Sequence, residues 1–151
     1  MDTSSVIIGL VLLLISIVPI VFIASQGSKS RKKLKQKLLD IARENNSTIE
    51  LTEMSKGFAI GIDFTNAKLY YVKEGASPKV INLSIVKQVD FQRTKEDGES
   101  EVIDLLFYYN HKEFKTEFIR LNDLNGSLQI GNELKVARSV VEAVNSYLKK
   151  H

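Results

Sequence analysis

Apolar and polar positions change period three times along this chain. From Val6 to Ala24, VIIGLVLLLISIVPIVFIA, nineteen residues pass without a charge. From about Ser30 to Asn45 the apolar residues Leu34, Leu38, Ile41 and Ala42 fall on one helical face, with lysines and Arg43 on the others; Asn45-Asn46-Ser47 ends that pattern. From Thr48 the period drops to two, and after Asn125-Gly126 it becomes helical again.

The first run predicts a membrane span over residues 6–25. At ~1.5 Å of rise per residue a helix of that length matches a hydrocarbon core of ~30 Å. Asp2 is the only charge before it, whereas Lys29, Arg31, Lys32, Lys33, Lys35 and Lys37 follow at once. Lys and Arg collect on the cytoplasmic side of a span, so the expected topology is single-pass, with residues 1–5 outside and the chain after Gln26 in the cytoplasm. A cleaved secretory signal is the competing reading, since Ile23-Ala24-Ser25 places small residues near a plausible cut. A signal calls for a basic leader and a shorter apolar core, and this chain has an acidic leader and a full-length run. Pro19 allows a kink without excluding insertion. Sequons at Asn46, Asn82 and Asn125 are short enough to arise by chance. Without cysteine the chain has no disulfide and no thiolate metal ligand, which suits a reducing compartment.

Charge divides the remainder. Residues 26–47 hold seven Lys and Arg against Asp40 and Glu44, whereas residues 48–151 are nearly balanced. The basicity therefore belongs to a juxtamembrane segment, 26–47, in which Gln26-Gly27-Ser28 is a short flexible break. Two readings fit its helical stripe: an amphipathic helix lying on anionic lipid headgroups, or a flank whose apolar stripe packs on the domain that follows. In either case Lys29, Arg31, Lys32, Lys33, Lys35 and Lys37 are the candidate membrane-surface residues. A near-neutral domain argues against nucleic acid as a partner.

Residues 48–151 form the expected β domain. Phe58, Ile60, Ile62 and Phe64 alternate with the small or polar Ala59, Gly61 and Asp63. Thr65-Asn66-Ala67 is a turn, and Lys68 to Val72 returns as a strand. Gly75-Ala76-Ser77-Pro78 breaks the chain before Lys79 to Leu83, and further strands are expected over about Lys87 to Thr94, Val102 to Tyr109 and Glu113 to Leu121. The charged segment Lys95 to Glu99 reads as a hairpin connection with Gly98 in its turn. Leu134, Ala137, Val140, Val141, Val144, Tyr147 and Leu148 then make one stripe of a closing helix. The expected fold class is therefore a transmembrane helix joined to a mainly-β (α+β) domain. About seven antiparallel strands form either a closed barrel or a curved sheet, with one C-terminal helix.

Ile81-Asn82-Leu83-Ser84-Ile85-Val86-Lys87-Gln88-Val89 resembles the "apolar-x-Leu-Ser-x-Ile-x-x-Val" strand-to-strand step of pleckstrin-homology-like and GRAM-like domains. Ala59 to Asp63, with Lys68 to Val72, is similar to the first hairpin of small single-span bacterial membrane proteins. Over residues 48–150 this resemblance implies a barrel-like fold and a binding or scaffolding role. Its phosphoinositide-binding form depends on a Lys/Arg cluster in the first hairpin loop, where Glu53-Met54-Ser55-Lys56-Gly57 offers one lysine beside an acid.

No chemistry of a known type emerges. His111 falls in a turn and His151 ends the chain, no serine occupies a G-x-S-x-G elbow, and no His-x-x-x-His pair is present. Glu96, Asp97, Glu99 and Glu101 lack the order of a calcium loop. Gly57 and Gly61 fit bulge or close-approach positions in a strand better than a phosphate cradle. Tyr70, Tyr71, Phe107, Tyr108, Tyr109, Phe114 and Phe118 fall in strands, where packing is their expected role. The expectation is a non-catalytic, membrane-anchored interaction module without cofactor or metal, binding a protein partner at the cytoplasmic face. An open sheet edge beside the terminal helix is its expected peptide site. A lipid-sensing module and an accessory subunit of a membrane complex are the alternatives.

Overall fold

The computed structural model describes residues 29–96, 100–110, 116–121 and 132–150. Among them the chain is mainly β, with seven antiparallel strands in two sheets and two α-helices. No helix among the described residues is long and apolar enough to cross a membrane. The fold class expected above is therefore corrected: a membrane-spanning helix is not an element of the described fold, and the single-pass description goes with it. The described helix nearest the apolar run is α1, residues 29–44. It carries six cations in nine residues and is far too charged to lie in hydrocarbon. Residues 6–25, where the span was expected, lie outside the described residues.

Sheet A has the order β1(Leu51–Ser55), β2(Phe58–Asp63), β3(Lys68–Lys73), β4(Lys79–Asn82). Leu51 to Ser55 was expected to include a loop, but pairs with β2 from Leu51↔Ile62 to Ser55↔Phe58, which leaves only Lys56-Gly57 to turn the chain. Gly57 has φ 86°, a conformation open to glycine at little cost.

Every residue of β2 is buried, so alternation here separates two interiors rather than core from solvent. Phe58, Ile60 and Ile62 face inward with Leu69, Tyr71 and Ile81. Ala59 faces outward with Tyr70 and Val72, and that face is covered by Leu34 and Leu38 of α1. Of the two sequence readings of α1, its apolar stripe thus follows the second and packs on the domain. The close approach is set by Gly61, where an added Cβ would meet Leu38 at 3.1 Å and Ile49 at 2.9 Å. A Schellman arrangement ends α1: Asn46 takes φ 52°, Ser47 N–H donates to Ala42 C=O at 2.9 Å, and Asn46 N–H donates to Arg43 C=O at 3.0 Å.

A single 3-10 turn, Leu83–Ile85, capped by the Asn82 side chain, carries the chain from sheet A to sheet B and interrupts the ladder. Sheet B has the order β5(Val86–Glu96), β6(Ser100–Tyr109), β7(Glu117–Arg120). Its inner residues Val89, Ile103, Leu105, Phe107 and Ile119 meet those of sheet A in one core. Helix α2(Asn132–Leu148) packs on β1, β5 and β6 and contributes Val136, Ala137, Val140 and Val144 to that core.

Candidate functional site

Four surfaces follow from this layout. The first is α1, where Lys29, Arg31, Lys32, Lys33, Lys35 and Lys37 are all exposed while Leu34, Leu38 and Ala42 are buried; Lys29, Lys32 and Lys33 lie on the outer side and Arg31 on the side of the buried residues, in the first turn. The structure gathers the expected membrane-surface residues on one helix. Lys37 Nζ also donates to Ala76 C=O at 3.3 Å, linking the helix to the β3–β4 turn.

The second is the seam between α2 and the two sheet edges beside it. Asn132 Nδ2 donates to Met54 C=O at 3.0 Å and Ser55 Oγ to Glu133 at 2.9 Å, tying α2 to β1. At β5, Val89 N–H donates to Asn145 Oδ1 at 2.9 Å and Asn145 Nδ2 donates to Val89 C=O at 2.7 Å. Asn145 thus occupies the rung that an added strand would need. The edge beside the terminal helix, expected as the peptide site, is closed at Val89. An open pocket of about 350 Å³ remains at the end of this seam, lined by Lys87, Gln88, Asn145, Leu148 and Lys149. Lys87 is the extra residue of the irregularity between Val86 and Gln88.

The third is the opening between β4 and β7, which side chains bridge. Tyr71 OH donates to Arg120 C=O at 2.9 Å, and Lys79 Nζ donates to Phe118 C=O at 3.3 Å and pairs with Glu117 at 3.8 Å. Beside it, Tyr109 OH donates to Glu117 at 2.7 Å. Burial, reinforced by the hydrogen bond and negative charge of Glu117, pushes the Tyr109 phenol well above its ordinary pKa.

The fourth is the outer face of sheet B. Phe118 lies directly across from Leu106 in the β6–β7 register, with Tyr108 on the same side of β6. Phe118 is 55% and Tyr108 38% exposed; Leu106 is half-buried. Both aromatics were expected to pack, and sequence reasoning missed their exposure because alternation cannot tell which outer face receives a helix. An Arg120–Asp104 ion pair at 3.2 Å borders them. Across β6 they are rimmed by Gln88, Asp90 and Gln92 of β5.

Asp63 is the other strongly engaged polar group, fully buried at the end of β2. Burial pushes its carboxyl up, but hydrogen bonds from the Asn66 side chain and N–H, Thr48 N–H and Ser47 together outweigh that and hold the pKa below its ordinary value. Its partners join the turn after β2, at Asn66, to the segment between α1 and β1, at Ser47 and Thr48, which makes it a structural anchor. Among the described residues no group of three His, Cys, Asp or Glu side chains is placed to hold a metal. His111, His151 and Phe114 lie outside the described residues, as do Asp97, Glu99 and the side chains of Glu96 and Glu101.

Compared with protein-family models, curated proteins and solved structures, the chain matches none of them.

Proposed function

We propose that this chain is a non-catalytic interaction module that docks a protein partner on the outer face of sheet B. One contrast carries the reading: α1 covers the outer face of sheet A over β2 and β3, leaving Val80 of β4 as its one large exposed apolar side chain among the described residues, whereas the outer face of sheet B displays two exposed aromatics, Phe118 and Tyr108, beside half-buried Leu106. Aromatic anchors bordered by an arginine and ringed by polar side chains have the composition of interface centres. Covering such side chains returns on the order of 25 cal/mol per Å² of apolar surface removed from water. The pleckstrin-homology-like resemblance enters as support for a binding role only, and the single lysine of the Lys56-Gly57 turn gives a headgroup site in the β domain less support than a protein site.

Photo-crosslinking tests this proposal. A photoreactive phenylalanine analogue is placed at Phe118 or Tyr108 of the full chain in its native cell, with exposed Thr52 on sheet A as the control position. The expected result is one defined heterologous adduct from both sheet B positions and none from position 52. Adducts common to all three positions, or none at all, would refute the proposal; a self-adduct would reassign the face to a homodimer.

A further inference from the structure

We infer that the α1 cations form an electrostatic docking surface for an anionic lipid bilayer, one that adsorbs to headgroups without inserting an apolar face. Four observations carry this, none of which depends on the protein-partner proposal.

The apolar stripe that would enter lipid is committed elsewhere. Leu34, Leu38 and Ala42 are 4%, 0% and 2% exposed. Leu38 lies over Gly61, whose missing side chain makes room for it against sheet A. What α1 presents outward is mostly charged, with Gln36 exposed and Leu39 half-buried among the cations.

The cations are not balanced within the protein. Among the described residues none of the six makes an ion pair with a carboxylate, and the first acid of α1, Asp40, pairs instead with Arg43 at 3.9 Å. Arg31–Lys35, Lys33–Lys37 and Lys29–Lys33 are like-charge neighbours four residues apart, each of which weakens a helix. A helix that concentrates self-repelling charge has a use for an external anion.

The charge distribution suits a plane. At about 100° per residue, Lys29, Lys32 and Lys33 project opposite the buried stripe, together with the paired Asp40 and Arg43; Lys35 and Lys37 lie on the flanks, and Arg31 falls on the stripe's own side at the first turn of the helix. A layer of anionic headgroups meets Lys29, Lys32 and Lys33 at once, with the long side chains at the flanks reaching toward it. Nucleic acid fits less well, because the domain beneath, residues 48–151, is nearly neutral and Gln36 is the only uncharged polar side chain between Arg31 and Lys37.

The orientation is then fixed. Helix α1 covers sheet A, whereas Tyr108 and Phe118 lie on the outer face of sheet B. The two surfaces are on opposite sides of the sandwich, so a bilayer held by one leaves the other open to the aqueous phase.

Full-length protein is mixed with vesicles of zwitterionic lipid, with and without phosphatidylglycerol, at low and high salt. Any apolar contribution of residues 6–24 is common to both lipids and cancels in the anionic-to-zwitterionic partition ratio. That ratio should be well above one at low salt, collapse at high salt, and fall roughly fivefold for each cation neutralised in Lys32→Gln and Lys33→Gln. Because the chain has no native cysteine, single labels report orientation: a fluorophore at Gln36→Cys should be quenched by a headgroup-linked quencher, and one at Gln92→Cys should not. A ratio near one, a ratio indifferent to salt or to the substitutions, or stronger quenching at position 92 overturns the inference. Displacement of the vesicles by a DNA duplex at matched charge overturns it too, in favour of nucleic acid. None of these outcomes alters the crosslinking expected at Phe118, so the two proposals fail separately.

Discussion

Asn145 stands in for a strand. Its carboxamide receives the Val89 N–H at 2.9 Å and donates to the Val89 C=O at 2.7 Å, the same two bonds an eighth strand would make to the edge of β5. Edges left unpaired invite association with other chains, and a helix-borne amide is an economical way to close one. Asn145→Ala leaves both Val89 groups without their partner in a part-buried seam and should cost about 1–3 kcal/mol. Asn145→Asp keeps the acceptor and loses the donor, and should fall between wild type and alanine. Urea unfolding of the three proteins checks the order; an alanine variant as stable as wild type would show that the bracket contributes nothing.

The contact between Gly61 and Leu38 makes a sharper prediction, because a single methyl group decides it. A Cβ at Gly61 would lie 3.1 Å from Leu38 and 2.9 Å from Ile49, closer than either can accept without moving. The atoms met are the terminal methyls of Ile49 and Leu38, which can give way by a few tenths of an ångström, so Gly61→Ala should destabilise by about 1 kcal/mol, the low end of overpacking costs. Gly61→Val should lift α1 from the sheet altogether. Hydrogen exchange over residues 34–42 should rise steeply in the valine variant while the β5–β6 ladder stays protected. Leu38→Ala reaches the same interface from the other side and should cost about 2–5 kcal/mol.

These two sites mark how far the sequence could be read. The alternation from Phe58 to Phe64 located β2, and the stripe from Leu134 to Leu148 located α2, because burial on one face imposes those periods. Gly61 was legible as a close-approach position. What approached it was not, since a lipid surface and a sheet place the same demand on the stripe of α1. The resemblance places a hairpin loop over Glu53 to Gly57, and nothing in the sequence opposes it, because β1 is only half-buried at Leu51, Glu53 and Met54 and so carries no clean alternation. Asn145 gave no signal at all: a polar residue on an amphipathic helix looks solvated until its position opposite an edge is known. Tyr108 and Phe118 erred in the opposite direction, because strand aromatics are packed by default and nothing local marks a face that receives no helix.

Asp63 should make stability acid-sensitive in a defined direction. Its folded-state pKa lies below the ordinary 3.8, so the carboxylate contributes stability that is fully present above that value and is lost as pH falls through the lower, folded one. Asp63→Asn should be less stable than wild type by about 1–3 kcal/mol at neutral pH. The gap should close on acidification to well below the ordinary value. A gap that is constant down the acid range would mean that the charge of Asp63 is immaterial to its bonds with Asn66 and Thr48.

Tyr109 predicts the mirror-image behaviour in alkali. Its pKa is raised, so the protonated phenol contributes stability that is complete below the unfolded-state value of about 10 and is lost as pH rises toward the folded one. Ionisation in place would set a phenolate against Glu117 at hydrogen-bond distance. Tyr109→Phe removes that liability along with one hydrogen bond, so it should be slightly less stable than wild type at neutral pH and more stable at strongly alkaline pH. Crossing of the two stability curves is the observable; parallel curves would exclude the coupling.

Phe118 separates a binding role from a folding role. Its side chain is 55% exposed, and its main described contribution to the sheet is the cross-strand position opposite Leu106. Such pairs are worth about 0.2–1 kcal/mol, and Phe118→Ser should cost no more than that. Backbone bonding should be unaffected, since Lys79 reaches the Phe118 carbonyl, not its ring. If the sheet B face is a docking centre, the same substitution should remove most of the crosslinking at Tyr108, because truncating a central aromatic anchor typically costs about 2 kcal/mol or more in binding, roughly thirtyfold in affinity. Near-wild-type unfolding with lost crosslinking assigns Phe118 to recognition. A large loss of stability with crosslinking retained in the folded fraction would instead make it a packing residue, and the docking face would have to be sought elsewhere on the sandwich.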